Sequence, residues 1–397
     1  MCIRSGKGRV APRVAEEAAV AATDRLFRAS VVALGLAGVV RAGVLPDDRG
    51  DVLFHAYDGG GVQVSGPSVQ VLKKFDEKVT LSGNYYVDAI SSASIDVVTT
   101  ASPYKERREE YGLSTSLLQD NVTMNLSYGN SEESDYSARF GGFGIAMDMF
   151  GNMTRVSLGW GGGADEVRRN GDEDFREKAS HQNYRLGLSQ VLTRDLVLDI
   201  AYEAVTDEGY LNNPYRTVRY LDGSGGVGRQ EERYPRTRTS NALAIRPRLY
   251  LPHRAALYGE YRYYDDTWGI KAHNGLVGYV HPLGKRWLLD FRYRYYTQRK
   301  ADFYSDLFPY YNAQNYLARD KELSTFRDHS LGFKLSWEFG RDDLQLLERG
   351  TLNLGYDYIY FIYDDFRDLR KTGYAPGEEP LYRFDAHVLQ LYMSLWY

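Results

Sequence analysis

The sequence predicts an all-β chain: a transmembrane antiparallel up-and-down β-barrel of about 16 strands (range 14–16), with short turns at one end and long loops at the other. Three observations carry this. Apolar and polar side chains alternate at a period of two through most of the 397 residues. The connections between alternating stretches are by turns tight and long. Tyrosine is in excess, 34 against 16 Phe and 5 Trp, and this amphipathic ring collects in strands and at membrane–water interfaces.

The first element is an apolar run, Ala29–Val40, behind Arg25 and Arg28. Its length is below that of a spanning helix, and Val40-Arg41-Ala42 offers small residues for cleavage, so residues 1–42 read as a signal peptide for the general secretory route. The residues ahead of Arg25 are long for such a segment, which leaves the true start open. Residues 43–50 read as a short periplasmic segment and 51–397 as the barrel. Cys2, the single cysteine, falls in the segment to be removed, so the mature chain has no disulfide, thiolate metal site or lipidated cysteine. Residues 1–42 hold 7 Lys/Arg and 3 Asp/Glu; 42 and 50 remain, a net charge of −8. Such a chain is a poor nucleic-acid binder.

Strands are expected near 51–58, 62–75, 78–90, 107–119, 121–131, 138–149, 152–163, 179–192, 195–207, 237–250, 253–266, 269–281, 285–298, 326–340, 349–363 and 383–397. The alternation is plain in Trp287, Leu289, Phe291, Tyr293 and Tyr295 against Leu288, Asp290, Arg292, Arg294 and Tyr296. The first strand and the one at 269–281 are the weakest patterns. At Gly66-Pro67 the apolar parity shifts between Val62/Val64 and Val69/Val71, which suggests a bulge. Tight turns fall at Asp76-Glu77, Asp120, Gly151, Thr193-Arg194, Pro252-His253 and Pro282–Gly284, with a longer one at Arg341–Glu348. The long polar connections are Ser91–Glu106, Ser131–Ser137, Ala164–Ala179, Asp207–Arg236, Arg299–Thr325 and Asp364–Tyr382. Of these, Ser91–Tyr104 is low in charge and suited either to the surface or to folding inward as a plug.

The last strand closes the series. Leu389, Leu391, Met393, Leu395 and Tyr397 alternate with Gln390, Tyr392, Ser394 and Trp396. This resembles the terminal signal that outer-membrane barrels present to the barrel assembly machinery, with Tyr in place of the usual Phe. A mean hydropathy of −0.48 excludes a bundle of membrane helices but not a barrel, because only one face of each strand meets lipid. Tyr261, Tyr263, Tyr293, Tyr295, Tyr356, Tyr358 and Tyr360 share the lipid-facing parity. Outer-membrane lipids and lipopolysaccharide are therefore expected neighbours; nothing marks an oligomeric state.

Residues 55–75, HAYDGGGVQVSGPSVQVLKKF, and 84–106, NYYVDAISSASIDVVTTASPYKE, resemble the opening of a family of uncharacterised proteobacterial outer-membrane barrels, a domain-of-unknown-function family. The resemblance runs from about Asp51 to the C-terminus and is most specific around Ser94–Tyr104. It implies one porin-like barrel in the outer membrane of a Gram-negative bacterium. It brings no substrate, cofactor or catalytic residue. Members are often encoded beside periplasmic thioredoxin-like and flavin-transferring proteins, which implies periplasmic redox proteins as partners.

The opposite parity supplies a lumen. Its basic residues include Arg246, Arg248, Arg262, Arg292 and Arg294, its acids Asp88, Asp148, Asp199, Glu203, Glu260 and Asp290. The arginines fall on one stretch of wall, and Asp88, Asp148, Asp199 and Glu203 are expected across from them. Such a lining tunes ion passage, so the leading expectation is a passive channel for small polar or anionic solutes. The bland alternative is that these charges pair and fill the lumen. A second class is a structural barrel holding a periplasmic redox partner. A third is an outer-membrane hydrolase built on His329 or His387 with Asp328 or Asp385, although no nucleophile motif accompanies them. The acidic runs Asp165-Glu166, Asp172–Asp174 and Asp364-Asp365 have oxygen ligands for Ca²⁺ but no EF-hand spacing. No catalytic, cofactor or metal residue is assigned.

Overall fold

The computed structural model describes residues 45–92, 104–340 and 347–397. The expected signal segment and the greater part of Ser91–Tyr104 lie outside the described residues, as do residues 341–346 of the longer turn.

Alternation this long has one outcome in a medium without hydrogen-bond partners: the ladder must close on itself. The strands are β1 (Arg49–Gly59), β2 (Val62–Phe75), β3 (Val79–Ser92), β4 (Tyr104–Gln119), β5 (Val122–Glu132), β6 (Tyr136–Met149), β7 (Thr154–Arg169), β8 (Asp172–Val191), β9 (Leu196–Gly209), β10 (Thr217–Leu221), β11 (Val227–Glu231), β12 (Thr237–Tyr250), β13 (Ala256–Asp266), β14 (Lys271–Leu283), β15 (Trp287–Gln298), β16 (Phe326–Gly340), β17 (Arg349–Arg367) and β18 (Leu381–Trp396). Sixteen of them form a closed barrel in which each pairs with its sequence neighbours, β9 passing to β12. β10 and β11 pair with one another as a separate hairpin. The seam joins β1 to β18 from Arg49↔Trp396 to Gly59↔Ala386.

A 14-residue strand at about 3.3 Å per residue and roughly 45° of tilt rises about 33 Å, enough for an apolar band of about 25 Å. The outward face is apolar and open: Leu113 is 69% exposed, Leu331 61% and Leu126 58%. An apolar surface wrapped around the whole ring is tolerable only in lipid. Two-residue turns, found at the long-loop end as well, need backbones that a β-strand does not supply. Gly60 and Gly61 take φ of 60° and 82° to reverse β1 into β2, the pattern of a type I′ hairpin.

Two expectations are corrected. There is no bulge at Gly66-Pro67, because β2 keeps one register with β1 throughout and resumes the same register with β3 on both sides of this pair. The apolar side chains change face instead. Val62 and Val64 point inward and pack with Ile90, whereas Val69 and Val71 are exposed outward. Gly66 is required by a close approach, since a Cβ there would lie 1.7 Å from the Val87 carbonyl oxygen. Ala164–Ala179 is not a loop: β7 and β8 continue to Arg169 and Asp172 and leave a two-residue turn. Charged outward residues sustain this extension beyond the apolar band, with Arg168 and Arg176 both near Glu166. The long connection expected after β9 is present and contains the hairpin β10–β11.

Leu391 lies in register with Phe54 and Leu354, and all three are exposed outward. Leu391→Arg is expected to lower barrel stability by about 2–4 kcal/mol, as a guanidinium deep in the lipid face does. Replacing the lumen-facing Gln390 by Ala should cost less than about 1 kcal/mol. Urea unfolding in phospholipid vesicles checks both.

Candidate functional site

The lumen divides into two halves of different character. Towards the short turns its lining is polar and wet. The Arg185, Arg246, Arg248 and Arg262 side chains keep between 34% and 47% exposure, and Asn125 and Ser127 on β5 are exposed as well.

Each of the five arginines singled out from the sequence has a carboxylate one or two strands away along the same wall. Arg246 donates to Glu260 and Arg248 to Asp199. Arg262 Nη2 donates to Glu203 Oε2 at 3.0 Å, and Arg185 Nε reaches Oε1 of the same carboxylate at 3.1 Å. Arg292 grips Asp357 through Nε and Nη2 at 3.0 and 2.6 Å. Arg294 Nη2 donates to Asp328 at 2.7 Å. The remaining acids are also engaged. Asp88 meets His55 Nε2 at 2.7 Å, Asp148 takes Arg155 at 2.7 Å, and Asp290 accepts from the Tyr258 hydroxyl at 2.8 Å with Lys334 3.9 Å away. Asp199 and Glu203 therefore do not oppose the arginines across the lumen. β9 is the direct neighbour of β12, so they sit beside them and cancel much of their field at close range.

Towards the long loops the lumen is filled. Here the inward residues of β17 and β18 turn apolar: Ile359, Phe361, Tyr363, Tyr382 and Ala386 are buried, with Phe384 and Val388 beside them. Against this wall packs the connection 299–325, through Ala301, Phe303, Tyr304, Ala318 and Leu323, with Tyr234 and Trp268. Rings are in direct contact: Phe361 stacks on Phe384 at 4.6 Å, and Trp268 meets Phe303 edge-on at 5.2 Å. The wall also holds the loop by its backbone, because Gln298 Nε2 donates to the carbonyls of Glu322 and Ser324 at 2.8 Å each.

The connection 210–236 is zipped onto this plug. Leu221 N–H donates to the Phe308 carbonyl at 3.0 Å, and Leu317 N–H to that of Arg233 at 2.8 Å. Val218, Phe308 and Leu317 form a small dry core between the two. Above it lies a charged latch joining three connections. Arg219 is buried and donates to Asp306 and to Glu379, and Arg319 donates to Asp306 as well. Glu232 is buried where the two loops meet. It accepts the Arg319 N–H at 2.7 Å and the Tyr234 hydroxyl at 2.7 Å. Burial pushes its carboxyl up to about 7, with Arg216 opposing and Asp320 adding to the rise.

Of the two histidine–aspartate pairings expected from the sequence, one is split between the two faces and the other is brought together on the outer face. Asp328 faces the lumen and is paired with Arg294, whereas His329 lies on the outer face between Tyr293 and Tyr295. Adjacent strand residues point to opposite sides, so the two cannot act together. His387 is also outward, 2.7 Å from the Tyr356 hydroxyl and 3.2 Å from Asp385. Of the acidic runs, Asp165 is taken by His181 and Tyr136, and Asp364 by Arg327.

The plug was missed in the sequence. Two signs of it were present: aromatic residues crowded into one loop, with Phe303, Tyr304, Phe308, Tyr310 and Tyr311, and apolar residues on the lumen parity of β17 and β18.

Glu232 gives the cap a pH dependence. A carboxyl raised from its usual 4.5 stabilises the folded loops fully below that value and loses the contribution as pH rises through about 7. Proteolysis of the 210–236 and 299–325 connections is therefore expected to be slower at pH 5 than at pH 8.5. Glu232→Gln should remove most of that difference, as fragment analysis on gels would show.

A family model described as a protein of unknown function (DUF3570) matches residues 172–358, from β8 into β17 and just under half of the chain. No curated protein matches the sequence. Among solved structures, a bacterial polysaccharide outer membrane secretin is 7% identical with a TM-score of 0.48, over 88% of this chain and 98% of that one. The outer membrane protein OpdK of Pseudomonas aeruginosa is 10% identical with a TM-score of 0.43, over 88% and 99%. The monoaromatic hydrocarbon channel CymD is 8% identical with a TM-score of 0.42, over 88% of each. The barrel assignment rests on the chain's own strand ladder. The chain is a porin-like barrel of the outer-membrane type that carries, over residues 172–358, the match to a family of unknown function.

Proposed function

We propose that this chain is a passive outer-membrane channel for small polar solutes, anions among them, closed at rest by its own extracellular loops. The observation that carries the reading is the division of the lumen: a wet, charged vestibule at the short-turn end and a packed plug of loops at the other. A barrel needed only as a shell has no use for exposed arginine–carboxylate pairs along its inner wall, whereas a permeating solute exchanges hydrogen bonds with them. The local pairing of each arginine supports weak charge selectivity rather than a strong preference for anions. A role without catalysis fits the outward placement of His329 and His387. In this reading residues 1–42 direct export, short turns face the periplasm, and the last strand addresses the assembly machinery.

The closed mouth also suits the rival reading, a non-conducting scaffold for a periplasmic redox partner, and one experiment separates the two. Asp306→Ala combined with Glu379→Ala takes both carboxylates from buried Arg219 and the Asp306 contact from Arg319. Removing one side of a buried pair costs about 3–5 kcal/mol, enough to loosen the cap while the ring of strands stays intact. In planar bilayers the wild-type protein is expected to conduct weakly and the double variant at least tenfold more. Conductance absent from both, with barrels still folded on heat-shift gels, would overturn the channel and favour the scaffold. Wild-type conductance already equal to that of the variant would overturn the loop gate.

A further inference from the structure

The hairpin β10–β11 places Arg219 directly opposite Arg229. Like charges facing one another across a strand pair destabilise it, and a sequence that breaks a local rule of this kind does so most often at a functional site. The two guanidiniums are not in the same situation. Arg219 is buried and spends its donors on Asp306 and Glu379. Arg229 is exposed to solvent on one side and makes no hydrogen bond or ion pair among the described residues. It lines a cavity of about 200 Å³ with Arg219, Arg319 and Glu379, whose apolar side is Val218, Val227 and Leu369.

The charges around this cavity do not balance. Arg219, Arg229, Arg319 and Arg367, the last 4.0 Å from Asp306, stand against Asp306, Glu379 and the buried Glu232 that accepts the Arg319 N–H. Arg216 and Asp320 pair with one another and leave the surplus unchanged. Partial desolvation of Arg229 and the like charges of Arg319 and Arg219 lower its pKa, as expected of a cation missing its counter-ion.

We propose that this cavity in the extracellular cap is a binding site for a small organic acid, a carboxylate carried on a compact apolar body. The planar fork of Arg229 would receive the carboxylate in two parallel hydrogen bonds. Arg219 and Arg319 supply the attracting field from behind, and Val218, Val227 and Leu369 cover the apolar part. The volume matches a single ring or a short chain. Recognition is of the ligand's own chemistry at the surface, so the site stands or falls apart from the channel reading.

The test is calorimetric titration of the full-length protein in detergent with benzoate, and separately with inorganic phosphate. Benzoate is expected to bind at one site per chain, with Arg229→Gln weakening it at least tenfold and Arg229→Lys weakening it less. Arg229→Glu provides the missing carboxylate from the protein itself. It should abolish benzoate binding while making the cap more resistant to protease, which also shows that the variant is folded. Absence of benzoate binding, or equal affinity in wild type and Arg229→Gln, would overturn the proposal. Binding of phosphate in place of benzoate would overturn the apolar half of the recognition.

Discussion

Everything in this molecule follows from the absence of hydrogen-bond partners in hydrocarbon. An open sheet edge in lipid leaves a row of N–H and C=O groups unsatisfied at several kcal/mol each, so β1 must meet β18, and the register from Arg49↔Trp396 to Gly59↔Ala386 is what makes the sheet a spanning structure. Closure also sets the chemistry of the two faces. Outward positions solvate themselves in lipid with Leu, Val, Phe and a belt of Tyr. Inward positions are free to be polar, and near the long loops they are free to be apolar as well, because other parts of the same chain come in to cover them.

That second freedom shapes the interior. Ile359, Phe361, Tyr363 and Tyr382 would be a poor lining for a water-filled pore. They form a sound floor for the aromatic residues of 299–325, and burying several such rings favours the folded loop by a few kcal/mol per ring. The arginine–carboxylate pairs of the other half need no such cover, because they stay in contact with water, where a pair contributes little to stability but presents donors and acceptors to whatever enters. Dry plug and wet vestibule are made by the same strands, with the change of lining falling along their length.

Most of the ring was legible in the sequence. Strands such as β15, with Trp287, Leu289, Phe291, Tyr293 and Tyr295 on one parity, state their environment because lipid tolerates no other pattern. Individual lumen residues were legible by parity, which placed Arg246, Arg292 and Asp290 inward. Their partners were not. The pairs Arg248–Asp199 and Arg292–Asp357 join residues 49 and 65 positions apart, a matter of strand neighbourhood and register rather than of local pattern. The plug was hidden for a related reason. Its contacts have no period, and its anchors lie on distant strands. The misleading local signal at Gly66-Pro67 came from reading an apolar switch of face as a slip of register, when it marks where the lumen wall turns dry.

In the proposed channel, solutes reach the polar half of the lumen from the short-turn side and are stopped at the other by packed loops. Thiol labelling tests it directly, because the chain's single cysteine, Cys2, lies far ahead of the barrel and is easily removed. Asn125, lumen-facing and exposed on β5, and Tyr310, exposed on the 299–325 connection, would each be changed to Cys in a Cys2→Ser background. A membrane-impermeant maleimide too large for general porins is then added to intact cells. Tyr310→Cys should react at once, and Asn125→Cys only after the outer membrane is permeabilised. Equal labelling of both in intact cells would contradict the account, because the lumen would then be open to the outside.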